Sequence, residues 1–487
     1  MKNLINIITM GAIATLIFNP LTVGAQTNSK NNDLDCLQPS PSPLVFPTKP
    51  SEVEVKCQKA ITLQQAIDLA LTNNKEIQVY QLNIEKSQAA LKEAEAAKFP
   101  TLDVNAQYSI EDSASGQIRN NIQQIAEKDV PPALRRELSD TSSISFTGNL
   151  QLNYELYTGG RIQGNIAIAE KQIRLDSLEL EKRKQQLQLD TTNRYYDVQQ
   201  ADEEVVISEA AVKNSSQNLK DTENLEKAGL GTKFDVLRAK VQLANAQQDL
   251  VQAKSQQIIA RRSLVQILGL SQNAEVSSGE PVIKSGEWRL SLEDTIVLAY
   301  KNRAELEQQL LQRDLSEERR KVAIASSRAQ VGVFAEYNIT DIFADHAGPG
   351  DGYRIGARVN WNLFDGGSGK AKQRQQEVNK EIAAVQFSDV RNQIRLQIEQ
   401  AYYNLDANNQ NIKTTELALE QAEESLRLAN LRFKAGVGTQ TEVLNSETEL
   451  TRAKVNRLRA ILGYNRALAT LQRGVSNVPD SRLFKQP

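Results

Sequence analysis

The stretch LEKAGLGTKFDVLRAK, residues 225–240, breaks a long helical pattern with two closely spaced glycines and then begins a second helical pattern. It recurs as RFKAGVGTQTEVLNSE at residues 432–447, at a constant offset of 207 residues, the difference between 434 and 227. The shared positions are Lys227/Lys434, Ala228/Ala435, Gly229/Gly436, Gly231/Gly438, Thr232/Thr439, Val236/Val443 and Leu237/Leu444. An acid follows each turn, Asp235 in the first copy and Glu442 in the second. A turn used twice between helical runs predicts two copies of one helical hairpin.

The duplication extends beyond these turns. ITLQQAIDLALTNNKEI (61–77) corresponds to RLSLEDTIVLAYKNRAEL (289–306) at an offset of 229, the difference between 292 and 63. The first copy therefore carries 22 extra residues (229 minus 207), which fall in the polar stretch 111–142. We expect a first structural repeat at 61–288, a second at 289–474 and a C-terminal tail at 475–487.

The N-terminus predicts export. Lys2 precedes a short apolar run, and small residues precede Ala25, so residues 1–25 are expected to form a cleaved signal peptide. An uncleaved membrane anchor is the alternative. Residues 26–60 form a Pro-rich arm, in which Cys36 and Cys57 flank the segment PSPSPLVFPTKP (39–50). The two cysteines can form a disulfide in an exported protein or remain two free thiols.

The repeats contain four stretches in which apolar and polar residues alternate, at about 101–110, 144–157, 331–340 and 353–364. They predict four strands in two hairpins, either a small soluble sheet covered by helices or strands that cross a bilayer, which needs ~9–11 residues each. Aromatic residues near the ends of the apolar sides and charges on the other sides favour the membrane reading: Tyr108, Tyr154, Tyr157, Tyr353 and Trp361 against Asp103, Glu155, Glu336, Arg354 and Arg358. Because an open sheet cannot sit in lipid, one chain must share a barrel with others, with eight strands from two chains or twelve from three.

The remainder of each repeat is helical. Residues 164–228 contain no proline, and at 1.5 Å per residue such a helix is on the order of 100 Å long. Apolar residues recur every seven positions, including an alanine row that lets helices approach closely: Ala239, Ala246, Ala253 and Ala260. This pattern favours a wall of packed helices.

Little in the sequence supports catalysis, a metal or a cofactor, and none is predicted. His346 is the only histidine and lies in a polar hairpin tip, DIFADHAGPGDGY. The net charge of -2 argues against a nucleic-acid partner.

These motifs occur in the same order in both copies. Together they resemble the TolC-type outer membrane efflux family from about Ile61 to Gly474. The resemblance also rests on the turns YTGGR (157–161) and FDGGS (364–368). It implies a mainly α fold with a small β part: long antiparallel helical hairpins form a periplasmic α-barrel, and four strands join a trimeric twelve-stranded transmembrane β-barrel.

By the same resemblance, the protein is the homotrimeric outer membrane channel of a tripartite efflux pump or a type I secretion system, set in outer membrane lipid. Its partners are a periplasmic adaptor (membrane fusion) protein and an inner-membrane pump or ABC transporter. The alternative, from another class, is a soluble periplasmic coiled-coil adaptor or scaffold, which does not account for four alternating strands.

The resemblance also assigns roles at the helical tip. Gly229, Gly231, Thr232, Gly436, Gly438 and Thr439 are expected to form the tip turns and contact the adaptor. Asp235 and Glu442 match acids of the periplasmic gate, whereas a third acid position falls on Asn445. The gate arginine and tyrosine of the family fall on Gly438 and Phe433, so the usual latch is expected to be missing. Both acids can alternatively be explained as helix caps alone.

Overall fold

The computed structural model describes residues 37, 46, 48–50, 53–55, 57–138, 140–271, 273–343 and 348–476. The predicted signal peptide, most of the Pro-rich arm and residues 477–487 lie outside this part of the chain.

Helices dominate the structure, and two of them are very long. The helices are α1 (Leu63–Asn73), α2 (Lys75–Ala96), α3 (Ala114–Ala126), α4 (Arg161–Lys227), α5 (Lys233–Ile267), α6 (Leu292–Asn302), α7 (Ala304–Ala325), α8 (Ser368–Lys434) and α9 (Gln440–Gly474). A short 3₁₀ helix covers Pro132–Leu134. Within the described residues, no helix is long and apolar enough to cross a lipid bilayer.

The second half of the structure repeats the first element by element. The helices α4 and α8 each have 67 residues, and α5 and α9 each have 35. The starts of α1 and α6 differ by 229 positions (292 minus 63), and those of α4 and α8 by 207 (368 minus 161). At 1.5 Å per residue, α4 and α8 are each about 100 Å long.

In the described part of the chain, six strands form two sheets. The strands are β1 (Cys57–Ile61), β2 (Thr101–Asp112), β3 (Ser142–Tyr157), β4 (Ala274–Ser278), β5 (Gln330–Ile342) and β6 (Gly350–Asn360). The larger sheet is antiparallel in the order β2-β3-β5-β6, so the two expected hairpins are joined through β3 and β5 into one sheet. The smaller one, a parallel pair of β1 and β4, is not predicted by the sequence pattern.

One strand ends earlier than its alternation suggests. The pattern at 353–364 predicts a strand to Phe364, but β6 ends at Asn360. Trp361 already leaves the ladder, and its Nε1 donates a hydrogen bond to the carbonyl oxygen of Ser327 at 3.3 Å. Gly366 and Gly367 then adopt φ of 67° and 88°, which turns the chain into α8.

Side chains of the larger sheet line up in rows across its strands. Leu102, Leu152, Ala335 and Ile355 are paired in register and form an apolar row. The next row, on the opposite face, is polar: Asp103, Gln151, Glu336 and Arg354. Because successive side chains point to opposite faces, one face of the sheet is apolar and the other polar.

The helices pack side by side around α4. It contacts α5 and α9 in its C-terminal part and α2 and α7 nearer the sheet. Three alanines of the expected row are buried: Ala239, Ala246 and Ala253. Tyr195 of α4 is fully buried, and its hydroxyl donates to the carbonyl oxygen of Ile61 at 3.1 Å, which ties the parallel β1–β4 pair to the helices.

Candidate functional site

The site that the sequence singles out is the end of the two long hairpins, here called the tip: residues 225–240 and 432–447. The helices α4 and α8 start where the larger sheet ends and finish at the tip. The tip therefore lies about 100 Å from the sheet.

The first glycine of each turn supplies a backbone conformation that other residues adopt poorly. Gly229 has φ of 77° and Gly436 has φ of 75°. The helix end is closed by backbone bonds from Leu230 N and Gly231 N to the carbonyl oxygen of Leu225, at 2.9 and 3.1 Å. The second copy repeats both bonds. This is the left-handed helix stop that glycine favours.

The second glycine of each turn is required by close approach of the backbone. A Cβ on Gly231 would lie 3.1 Å from the backbone nitrogen of Glu226. A Cβ on Gly438 would lie 2.9 Å from the Cβ of Arg432 and 3.0 Å from the nitrogen of Phe433. Gly438 is the position where the resemblance places the gate arginine, and this turn leaves no room for a side chain of that size.

Thr232 and Thr439 cap the helices that leave the tip. Asp235 N donates to Thr232 Oγ1 at 3.2 Å, and Thr232 N donates to Asp235 Oδ2 at 3.2 Å, a complete capping box. The cap at Thr439 is simpler: Glu442 N donates to Thr439 Oγ1 at 3.3 Å. Asp235 therefore has a structural role, because its carboxylate accepts a hydrogen bond from the backbone N–H of Thr232 at the start of α5.

Polar contacts join the two copies at the tip. Arg238 Nη1 donates to Thr441 Oγ1 at 2.8 Å, and Gln440 Nε2 donates to the carbonyl oxygen of Asp235 at 2.9 Å. These two contacts link the α4–α5 pair to α9 directly beside the expected gate acids. Glu442 pairs with Arg432 of its own repeat at 3.7 Å.

The remaining gate positions have different environments. Phe433, where the family tyrosine falls, packs against an apolar cluster that includes Leu426 and Val443. Asn445 is exposed. Phe433 therefore contributes packing and offers no hydroxyl to a latch.

A buried carboxylate lies within the tip, about two helical turns after the cap at Thr439, and is not singled out by the sequence. Glu447 on α9 is 7% exposed, and its Oε2 has no hydrogen-bond partner among the described residues. Burial raises the pKa of Glu447 to about 7, although the nearby amide of Asn218 on α4 acts in the opposite direction. The equivalent position of the first repeat is Lys240, which is exposed. That asymmetry is the only sequence signal that could have drawn attention to Glu447.

Comparison with known sequences identifies the family of this chain. Residues 66–270 and 295–475 match the family described as outer membrane efflux protein. The chain belongs to this family. The two matched segments fall on the two sets of helices, and the family is one of channels for efflux across the outer membrane, not a class of enzymes.

Solved structures share the fold of this efflux family member. The outer membrane protein VceC from Vibrio cholerae has a TM-score of 0.69 at 18% identity, over 85% of this chain and 96% of VceC. The CmeC outer membrane channel of Campylobacter jejuni has a TM-score of 0.71 at 15% identity, over 90% and 94%. The open state of the MtrE outer membrane channel of Neisseria gonorrhoeae has a TM-score of 0.67 at 17% identity, over 85% and 89%.

At these identities the likeness establishes the fold. It confirms the expected class, mainly α with long helical hairpins for a tunnel and a small β part for a barrel. No curated protein matches the sequence.

Two sequence expectations fall partly or wholly outside the described residues. Of the expected disulfide, Cys57 begins β1 and no cysteine of the described part is free, whereas Cys36 lies outside it. The pairing stays a prediction. His346 also lies outside the described residues.

Proposed function

We propose that this efflux family member acts as a homotrimeric exit duct across the outer membrane and the periplasm. The observation that carries the proposal is the larger sheet: β2 and β6 are its outer strands and have no further partner among the described residues. Open edges leave backbone groups without hydrogen bonds in lipid, so β2 of one copy must pair with β6 of another. Three copies give twelve strands, enough for a barrel with a lumen.

The two faces of the sheet support this placement. The apolar face is open in a single chain, with Ile355 at mid-strand 76% exposed. The polar face carries Glu336, which pairs with Arg354 and accepts a hydrogen bond from Asn149 Nδ2 at 3.0 Å. Lipid on the first face and water on the second satisfy both sets of side chains.

The helices extend this duct into the periplasm. Three copies of the packed helical wall form a tunnel whose far end is the tip. There the glycine turns at 229–232 and 436–439 are the contact for a periplasmic adaptor, which connects the duct to an inner-membrane pump of a tripartite efflux system or to the ABC transporter of a type I secretion system. Residues 1–25 are removed during export.

Fractionation and size measurement test the trimer. The protein is expected in the outer membrane fraction, and the detergent-extracted form is expected at three times the mass of the mature chain. Co-purification of a crosslinked adaptor, with loss of the crosslink when the tip glycines are replaced, would support the docking role. A monomer in the soluble periplasmic fraction would contradict the proposal and favour the coiled-coil scaffold instead.

The gate acids supply a separate prediction. Three copies bring six carboxylates, from Asp235 and Glu442, to the mouth of the tunnel, and such a ring attracts cations. The double variant Asp235→Asn, Glu442→Gln is expected to weaken block by divalent or trivalent cations severalfold in single-channel recordings.

Two control variants separate the ring from the cap. Thr232→Ala removes the cap hydrogen bond and keeps both acids, so its cation block is expected to stay near that of the parent while helix stability falls by about 1 kcal/mol. Asn445→Asp adds an acid at the third family position and is expected to strengthen the block. Unchanged block in the double variant would rule out the carboxylate ring.

A further inference from the structure

The 22 extra residues of the first repeat build a helix with an uncovered apolar face. The helix α3 lies between β2 and β3, at the end of the sheet away from the long helices. Ile118, Ile122 and Ile125 are spaced four and three residues apart and are 60%, 61% and 75% exposed. Residues with this spacing share one side of a helix. No other described element covers them.

The helix is held in a defined place. Ser113 caps it, accepting a hydrogen bond from Gly116 N at 3.1 Å, and Ser113 N donates to the carbonyl oxygen of Thr141 at 2.7 Å. The returning chain is fixed to its C-terminal end, where Gln123 Nε2 donates to the carbonyl oxygen of Arg136 at 3.2 Å. The insertion is thus a hydrogen-bonded unit that presents the isoleucines in a fixed direction.

A contact between α3 and β2 shows on which side of the sheet this helix lies. Gln117 Nε2 donates to Asp112 Oδ2 at 2.6 Å. Asp112 is separated by even numbers of residues from Leu102, Val104 and Ile110, so it belongs to the apolar side of β2. The helix is therefore tied to the rim of the sheet on the side that faces lipid in the proposed barrel.

Exposed cations lie beside the isoleucines. Arg119 follows the first isoleucine, Lys128 follows the last turn of the helix, and both are exposed. The exposed acid Asp129 adjoins Lys128, so the charges at the C-terminal end of the helix are mixed. Cations beside an apolar stripe are typical of helices that lie in a membrane interface, where long side chains reach phosphate groups.

We propose that α3 is an interfacial anchor, which lays Ile118, Ile122 and Ile125 into the outer leaflet beside the barrel. Arg119 and Lys128 then contact lipid phosphates. The proposal rests on the barrel of the proposed function, since it needs the apolar face of β2 to be in lipid. The predicted depth is that of interfacial helices, ~5–10 Å into the boundary between headgroups and acyl chains.

Quenching by nitroxide lipids tests the anchor. In a variant of the full chain with Cys36 and Cys57 replaced by serine, single cysteines at Ile122, Gln124 and Val104 carry an environment-sensitive fluorophore. The trimers are placed in vesicles of phosphatidylethanolamine and phosphatidylglycerol. Nitroxides near the headgroups are expected to quench the label at 122 strongly and the label at 124, on the polar side, weakly. Nitroxides deep in the acyl chains are expected to quench the label at 104 in β2.

Each outcome separates the anchor from the barrel. A quenched label at 104 with unquenched labels at 122 and 124 would overturn the anchor and leave the barrel intact. Absence of quenching at all three positions would overturn the barrel itself, and with it the anchor. Disulfide-linked dimers formed by the unlabelled Ile122→Cys trimer would show that the face docks on another copy, which also contradicts a lipid anchor.

Discussion

Replacing Ile355 by arginine is expected to prevent assembly of the protein in the outer membrane. Ile355 lies at the middle of β6, on the apolar face, and its row neighbour Ala335 offers no polar group. An arginine at the bilayer midplane costs about 2–4 kcal/mol on the lipid side of a barrel, and a trimer carries three copies. The cost also falls on an outer strand, which pairs with the next copy in the proposed trimer. The measurement is the amount of heat-resistant trimer in outer membrane fractions.

Asn105→Arg is the matched control on the opposite face. Asn105 lies in the middle part of β2, and its row continues through Asn149 and Asn338. An arginine there faces water in the lumen of the proposed barrel, so trimer yield is expected to stay close to that of the parent while single-channel conductance changes. Equal trimer yields for both arginine variants would contradict the assignment of the two faces.

Much of this architecture follows from periodicity in the sequence. Alternation over about ten residues identified β2, β3, β5 and β6, because each strand keeps its apolar and polar sides apart. The constant offset between the two copies anticipated the equal lengths of α4 and α8. The glycine turns were recognisable because only certain backbone conformations end a helix and start another within a few residues.

Features made by contacts between distant residues were not predictable in this way. The parallel pair joins Cys57 to Ala274, and five-residue strands have too little periodicity to stand out. The union of the two hairpins depends on pairing of β3 with β5, which pattern alone does not specify. The helix α3 lies in a polar stretch, which favours a loop. Its three isoleucines form an apolar row too narrow to indicate a helix.

At the tip, the sequence identified the acids but not their partners. Asp235 was open to both a gate and a capping interpretation, and the capping box supports the second without removing the first. The contacts of Arg238 with Thr441 and of Gln440 with Asp235 join residues 203 and 205 positions apart. Glu447 resembles any surface glutamate of a long helix until the packing of α4 against α9 buries it.

Glu447→Gln is expected to stabilise the protein at about pH 8 and to have little effect in acid. A rise in the pKa of Glu447 from 4.5 to about 7 corresponds to roughly 3 kcal/mol per protomer. Because the raised pKa belongs to the folded state, this carboxyl disfavours folding once it must ionise. The stability that depends on a protonated Glu447 is fully present below about pH 4.5 and is lost as the pH rises through 7. Glutamine keeps the size and removes the charge at every pH.

The charged groups that line the groove beside Glu447 do not cause its raised pKa. Glu447 lines a groove of about 320 Å³ between α4, α5 and α9, whose other charged lining residues are Asp249, Arg452 and Arg459. None of these three contributes to the shift in its pKa. Because α4 and α9 belong to different repeats, an ionised Glu447 weakens the packing between the two hairpins at the tip.

Thermal unfolding of the detergent-extracted trimer between about pH 4.5 and 8 measures the effect. The parent is expected to lose stability across this window relative to Glu447→Gln. Glu449→Gln, a change at an exposed position of the same helix, removes the same charge and is expected to follow the parent. Parallel curves for all three proteins would show that Glu447 is ionised at no cost, and that α4 and α9 separate there enough to admit water.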